Sequence, residues 1–216
     1  MKNILCLISG RGSNLQAILA TERAEQWPQR YGARMAAVIS NRADARGLEI
    51  ARAHGVATQV LEHGAYASRR EFDAALAACI DAHDPVLVVL AGFMRVLTPE
   101  LAARYHGRMI NIHPSLLPAF TGLNTHARAL AAGVRVHGTT VHYVSGELDA
   151  GPIIAQAALA VAPGESEESL AARVLSLEHR LLPRCICWIL EGRVRLHEGR
   201  VAADGLGPAQ LLMFEP

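Results

Sequence analysis

The chain has 216 residues, enough for one large α/β domain or two small ones with an ample core. Half of it is apolar and 19% is charged, which excludes a disordered chain, and 21 basic residues against 20 acidic ones give no electrostatic case for nucleic acid or an anionic membrane as main partner. No apolar run approaches the ~20 residues that a membrane helix needs.

The opening "MKNILCLISG" has one lysine and a short apolar run cut by a glycine-rich loop, which fits a buried first strand rather than a signal peptide. Strands are predicted over residues 3–8, 35–40, 58–61, 86–91 and 109–113. Helices are predicted between them, over 14–24, 45–54, 70–82 and 99–105. This alternation argues for an α/β fold in three layers, a mostly parallel twisted sheet with helices on both faces. From Gly138 the pattern changes: "GTTVHYV" and "GPIIAQAALAV" are strand-like and flank the acidic turn "SGELDAG". A long helix should follow from about Ser166, with Glu167 and Glu168 in its first turn, where the helix dipole favours acids. Pro183 should kink or end it, and "GRVRLHEGRVAADG" reads as a short C-terminal hairpin. Without repeats or linkers, the expectation is a single domain over 1–216, with a phosphate-binding half over 1–100 and a half over 101–200 that is catalytic and binds the second substrate. Cys6, Cys79, Cys185 and Cys187 form no C-x-x-C pair, which reads as reduced thiols in a cytoplasmic protein.

Two stretches carry chemistry. The first strand runs into "SGRGSNLQ", which opens a helix. Glycines admit a ligand close to the backbone, and helix-terminal N–H groups favour an anion. The spacing is not a Walker loop, and Leu15 stands where a dinucleotide fingerprint has its third glycine. Gly12, Ser13 and Asn14 suit one phosphate; the alternative is that Ser13 or Asn14 merely caps the helix. The second stretch is "NIHPSLLP". Strand alternation points Asn111 and His113 the same way, and Pro114 ends the strand behind them. An amide and a protonated imidazole on one face can hold a developing oxyanion. Asp149, in "ELDAGP", would stabilise the cationic ring and orient it, or would form only a local turn. There is no G-x-S-x-G elbow and no H-E-x-x-H, and His137 and His142 lie five apart on a strand, so they should face opposite sides. Direct transfer to a bound acceptor is predicted, with no metal and no enzyme-bound intermediate.

"ISGRGSNLQAI", "ISNRADARGLE", "LAGFMRVLTP", "NIHPSLLPAFTGLNTH", "HGTTVHYVSGELDAGPII" and "EHRLLP" together resemble the phosphoribosylglycinamide formyltransferases of the 10-formyltetrahydrofolate-dependent formyltransferase family, over roughly residues 1–197. The resemblance implies a Rossmann-like formyltransferase fold. It also implies formyl transfer from 10-formyltetrahydrofolate, a co-substrate, to the amine of glycinamide ribonucleotide in purine biosynthesis. By motif, Asn111, His113 and Asp149 would be catalytic, and Gly12, Ser13, Asn14 and Glu178 would bind the acceptor. Arg69, Met94, Arg95, Val96 and Leu97, with Asn111 and Asp149, would bind folate, and the "VSGELD" loop would close over the pterin. Without the resemblance, Met94 and Leu97 would read as ordinary core. Glu178 has separate support, because it lies on the edge of the helical stripe Leu170, Val174, Leu177 and Leu181. Ala119, Thr121 and Asn124 depart from residues common in relatives, which bears on the shape of the acceptor loop. The implied partners are small molecules, with the chain a monomer or homodimer. A deformylase, using the same trio with water as acceptor, is the alternative; it usually carries an extra N-terminal domain, whereas this chain opens on the first strand.

Overall fold

Strand β1 (Lys2–Ile8) is buried along its last five residues, the continuous apolar run of a strand covered on both faces. The computed structural model describes residues 1–214. Within them the main sheet has eight strands in the order β10-β7-β6-β5-β4-β1-β2-β3. The chain divides into two compact units, Met1–Asn111 and Ile112–Pro216.

In the first unit, β1 is followed by α1 (Ser13–Ala24), α2 (Trp27–Arg30), β2 (Ala33–Ser40), α3 (Gly47–Ala53) and β3 (Ala57–Val60). Next come α4 (Arg69–Asp81), β4 (Pro85–Leu90), α5 (Pro99–Arg104) and β5 (Met109–His113). All pairings here are parallel: β1 lies between β2 and β4, β3 joins β2, and β5 joins β4 with Asn111 opposite Leu90. The chain leaves β1 toward β2 on one side and returns as β4 on the other. The carboxyl ends of β1 and β4 therefore form a topological switch point, where open α/β sheets leave a crevice for ligands. The glycine loop leaves β1 there, and residues 91–98 leave β4 beside it. Helix α4 shows how pattern becomes packing: Phe72, Leu76 and Ile80 recur every four residues and are buried, and Ser68 caps the helix by accepting from the Glu71 N–H.

The second unit contains α6 (Thr125–Ala131), β6 (Val136–Tyr143), β7 (Ile153–Ala160) and α7 (Glu167–Leu190). It ends with β8 (Val194–His197), β9 (Arg200–Ala203), α8 (Pro208–Leu211) and β10 (Leu212–Phe214). Strands β6 and β7 are antiparallel, and α7 packs on both. The predicted hairpin is β8–β9, closed by Glu198 and Gly199, both at positive φ, as a two-residue turn requires. Helix α7 begins at Ser166, whose side chain accepts from the Ser169 N–H, with Glu167 and Glu168 in the first turn.

The structure departs from the sequence expectations in three places. Pro183 does not end α7, which runs on to Leu190. Its ring removes one backbone donor, but Leu181, Leu182, Cys185 and Ile186 around it are buried, and their packing holds the helix together. Helices α2, α6 and α8 have no counterpart among the predicted elements; α2 and α8 are four residues each, too short for a period to show. Beyond the hairpin, β10 adds to β7 in parallel, a pairing that local sequence does not encode.

Candidate active site

The first group lies at the switch point. Gly12 is the residue before α1, with φ +77°, and no side chain caps that helix. Ser13 and Asn14 stand inside the helix rather than capping it, so the capping alternative is not what the structure holds. The Gln16 N–H reaches the Gly12 carbonyl at 2.9 Å. As at any helix start, the N–H groups of the first turn point out of the helix, an arrangement suited to an anion. A Cβ on Gly12 would lie 2.5 Å from the Gly47 Cα, so the loop is pressed against the start of α3. That contact explains a second glycine, in "DARGLE", to which the sequence alone assigns no role.

Residues 91–98 form the neighbouring loop. Phe93 plugs into the core, while Met94 is 67% exposed and Val96 is 45% exposed. Met94 is therefore not core, and Leu97 is only half-buried; tertiary structure turns this apolar run outward. The Arg95 guanidinium lies 5.8 Å from the centroid of the Phe72 ring. Arg69 is the exposed first residue of α4.

At the end of β5, Asn111 is half-buried and His113 is buried. His113 Nε2 donates to the Phe120 carbonyl at 2.9 Å. Its Nδ1 is 3.4 Å from Asp149 Oδ2, and the same oxygen accepts the Gly122 N–H at 2.8 Å. The carboxylate thus reaches across 27 positions in sequence rather than closing a local turn. Asp149 itself has φ +52°, a conformation that aspartate tolerates better than most residues. His142 Nε2 is 4.0 Å from Asp149 Oδ1, and His142 Nδ1 donates to the Tyr143 carbonyl at 2.9 Å. Burial holds the His142 imidazole below the usual histidine range, offset by that carbonyl and by Asp149. Sequence reading sets His142 aside as a metal ligand, and nothing in its local pattern separates it from a core histidine.

Residues 114–124 are tied to β6 and β7. Thr140 Oγ1 donates to the Ser115 carbonyl at 2.7 Å and accepts from the Leu117 N–H and from Gln156 Nε2, each at 3.0 Å. Thr139 Oγ1 donates to the His113 carbonyl at 2.9 Å. Beyond the loop, His126 Nδ1 and His137 Nε2 meet at 3.2 Å. Burial, reinforced by His126 and His113, pushes His137 down to about 4. Glu178 is buried on α7, next to Leu177 of the apolar stripe.

Cys6 and Cys185 offer no nucleophile, because burial pushes both thiols far above the range in which a thiolate forms. Among the described residues, no group of three or more His, Cys, Asp or Glu side chains could hold a metal ion, and no helix is long and apolar enough to cross a membrane.

A mostly parallel sheet with helices between its strands makes the molecule an α/β protein of the doubly wound kind. The chain belongs to the formyl transferase family, which it matches over residues 2–186. It is 48% identical to the phosphoribosylglycinamide formyltransferase of Escherichia coli K12, with 94% of each chain covered. Among solved structures, it resembles phosphoribosylglycinamide formyltransferase from Coxiella burnetii, with TM-score 0.88, 47% identity and coverage of 100% and 99%. It likewise resembles glycinamide ribonucleotide transformylase 1 from Symbiobacterium toebii, with TM-score 0.89, 47% identity and 94% of each chain covered.

Proposed function

We propose that this chain transfers the formyl group of 10-formyltetrahydrofolate to the primary amine of N1-(5-phosphoribosyl)glycinamide, a step of purine biosynthesis. The observation that carries the reading is the contact between His113 Nδ1 and Asp149 Oδ2, at 3.4 Å, behind an amide on the same strand. The relatives named above are transferases, which favours an amine rather than water as acceptor.

The amine attacks the formyl carbon, a new C–N bond forms, and negative charge develops on the formyl oxygen. Asn111 and His113 donate to that oxygen. To do so, His113 exchanges its hydrogen bond to the Phe120 carbonyl for one to the substrate, since both ring nitrogens already face protein groups. Asp149, 3.4 Å from Nδ1, keeps the ring oriented during that exchange. The tetrahedral centre then collapses: the bond to the folate N10 breaks, N10 gains a proton and the amine loses one. Gly12, Ser13 and Asn14 hold the acceptor's phosphate, and Glu178 attends its amine end. Arg69 and residues 94–97, with Asn111 and Asp149, hold the folate; exposed Met94 and Val96 supply apolar surface for a flat ring. The proposed setting is the cytoplasm, with the chain acting as a monomer or homodimer on small molecules alone.

An absorbance assay of folate with and without glycinamide ribonucleotide tests this. Acceptor-dependent turnover is expected. Equal turnover without the acceptor would mean a deformylase, and none under either condition would overturn the reading.

A further inference from the structure

The loop over residues 91–98 raises a mechanical question. Phe93 anchors its first half, but beyond it Met94 is 67% exposed and Val96 45% exposed, so apolar packing does little to fix the path of residues 94–98. Two buried polar side chains grip the backbone there. At the near end, Ser9 Oγ accepts the Met94 N–H at 2.7 Å. Its one proton goes to Asn41 Oδ1 at 2.5 Å, and Asn41 Nδ2 lies 3.2 Å from His63 Nδ1. At the far end, Asp73 Oδ2 accepts the Thr98 N–H at 2.6 Å, and Thr98 in turn caps α5.

These placements are costly ones. Ser9 and Asn41 are 6% and 4% exposed, and Asp73 is 3% exposed on the face of α4 that otherwise buries Phe72, Leu76 and Ile80. A buried polar group costs stability unless it is hydrogen-bonded, and an apolar residue at either position would pack without that cost. What these side chains gain there is a backbone N–H of one loop.

We propose that Ser9, oriented by Asn41, and Asp73 are positioning residues that hold residues 94–98 in the shape that receives folate. The proposal rests on the reading of residues 94–97 as folate-binding. A loop ordered before binding spares the ligand the cost of ordering it, so losing a clamp weakens folate binding and leaves the chemical step alone. Ser9 also lies at the root of the glycine loop, yet its hydroxyl is engaged by Met94 and Asn41. The acceptor should therefore be little affected.

Steady-state kinetics of folded variants test this. In Ser9→Ala and in Asp73→Ala, KM for 10-formyltetrahydrofolate should rise ~10-fold, while kcat and KM for glycinamide ribonucleotide stay within about twofold. Ser9→Thr and Asp73→Asn keep an acceptor oxygen and should restore the folate KM. Should an alanine variant fail to fold, Ser9→Cys decides, since it keeps the volume but weakens the acceptor; its folate KM should fall between those of parent and alanine-level loss. An unchanged folate KM, a parallel rise for both substrates, or no restoration by Thr and Asn would overturn the positioning roles. A parent protein without acceptor-dependent turnover would instead sink the functional reading beneath them.

Discussion

His113 donates one ring nitrogen to a carbonyl and turns the other to a carboxylate, so single-atom changes around it are informative. Asp149→Asn keeps an oxygen for the Gly122 N–H and tolerates the positive φ, but removes the charge facing the ring. Turnover at saturating substrates should fall by ~10²–10⁴, the range for positioned acid–base groups, with the thermal midpoint little changed. Asn111→Ala and His113→Ala should each lose ~10²–10³ in kcat while still binding both ligands, as for removal of an oxyanion donor. Near-normal turnover in any of the three would remove that residue from the chemistry. Gly12 behaves differently. Gly12→Ala meets both φ +77° and a backbone atom 2.5 Å away, so it should cost ~1–3 kcal/mol or more of stability before any ligand is considered. Urea melts measure that directly, and an unchanged midpoint would mean the loop relaxes freely away from Gly47.

At the scale of elements, one hydroxyl with three partners is a main anchor of the segment after β5. Thr140→Val keeps the shape but strands the Leu117 N–H and the Ser115 carbonyl, and leaves Gln156 Nε2 only its bond to the Leu117 carbonyl. The loss should be ~1–3 kcal/mol for groups left buried and unsatisfied. Turnover should fall with it, because the same segment carries the Phe120 carbonyl and Gly122 N–H that frame His113 and Asp149. Equal stability and activity in the valine variant would show that the segment is anchored elsewhere. Helix α7 is the contrasting case: its stripe is plain from the period alone, and Leu170, Val174, Leu177 and Leu181 are all buried.

For the whole molecule, pH acts through buried imidazoles. Burial holds His126, His142 and His179 below the usual range and pushes His137 down to about 4. A lowered folded-state value means that the unfolded chain binds more protons as pH falls below about 6.5, so stability should drop with acid through the window from there to about 4. Urea midpoints at pH 7.5 and 5 measure the slope, and His137→Gln should flatten it. A parent protein equally stable at both values would contradict these environments.

The strand–helix alternation, the α7 stripe, the hairpin and the Asn-x-His spacing are legible in the sequence because each is periodic or local. Chain order alone also puts the glycine loop after β1. Other features depend on atoms distant in sequence. Asp149 meets Gly122, Gly12 meets Gly47, and β10 pairs with β7, and only folding brings these together. The sequence passes over His142, and the end of α7 that Pro183 could have imposed does not occur, for the same reason: a side chain's local pattern does not say what packs against it. The outward turn of Met94 and the inward turn of Ser9 and Asp73 are likewise decided by tertiary structure. Hydrophobic periodicity specifies which face of an element is buried, whereas the partners of a buried polar atom are set by where the other elements arrive.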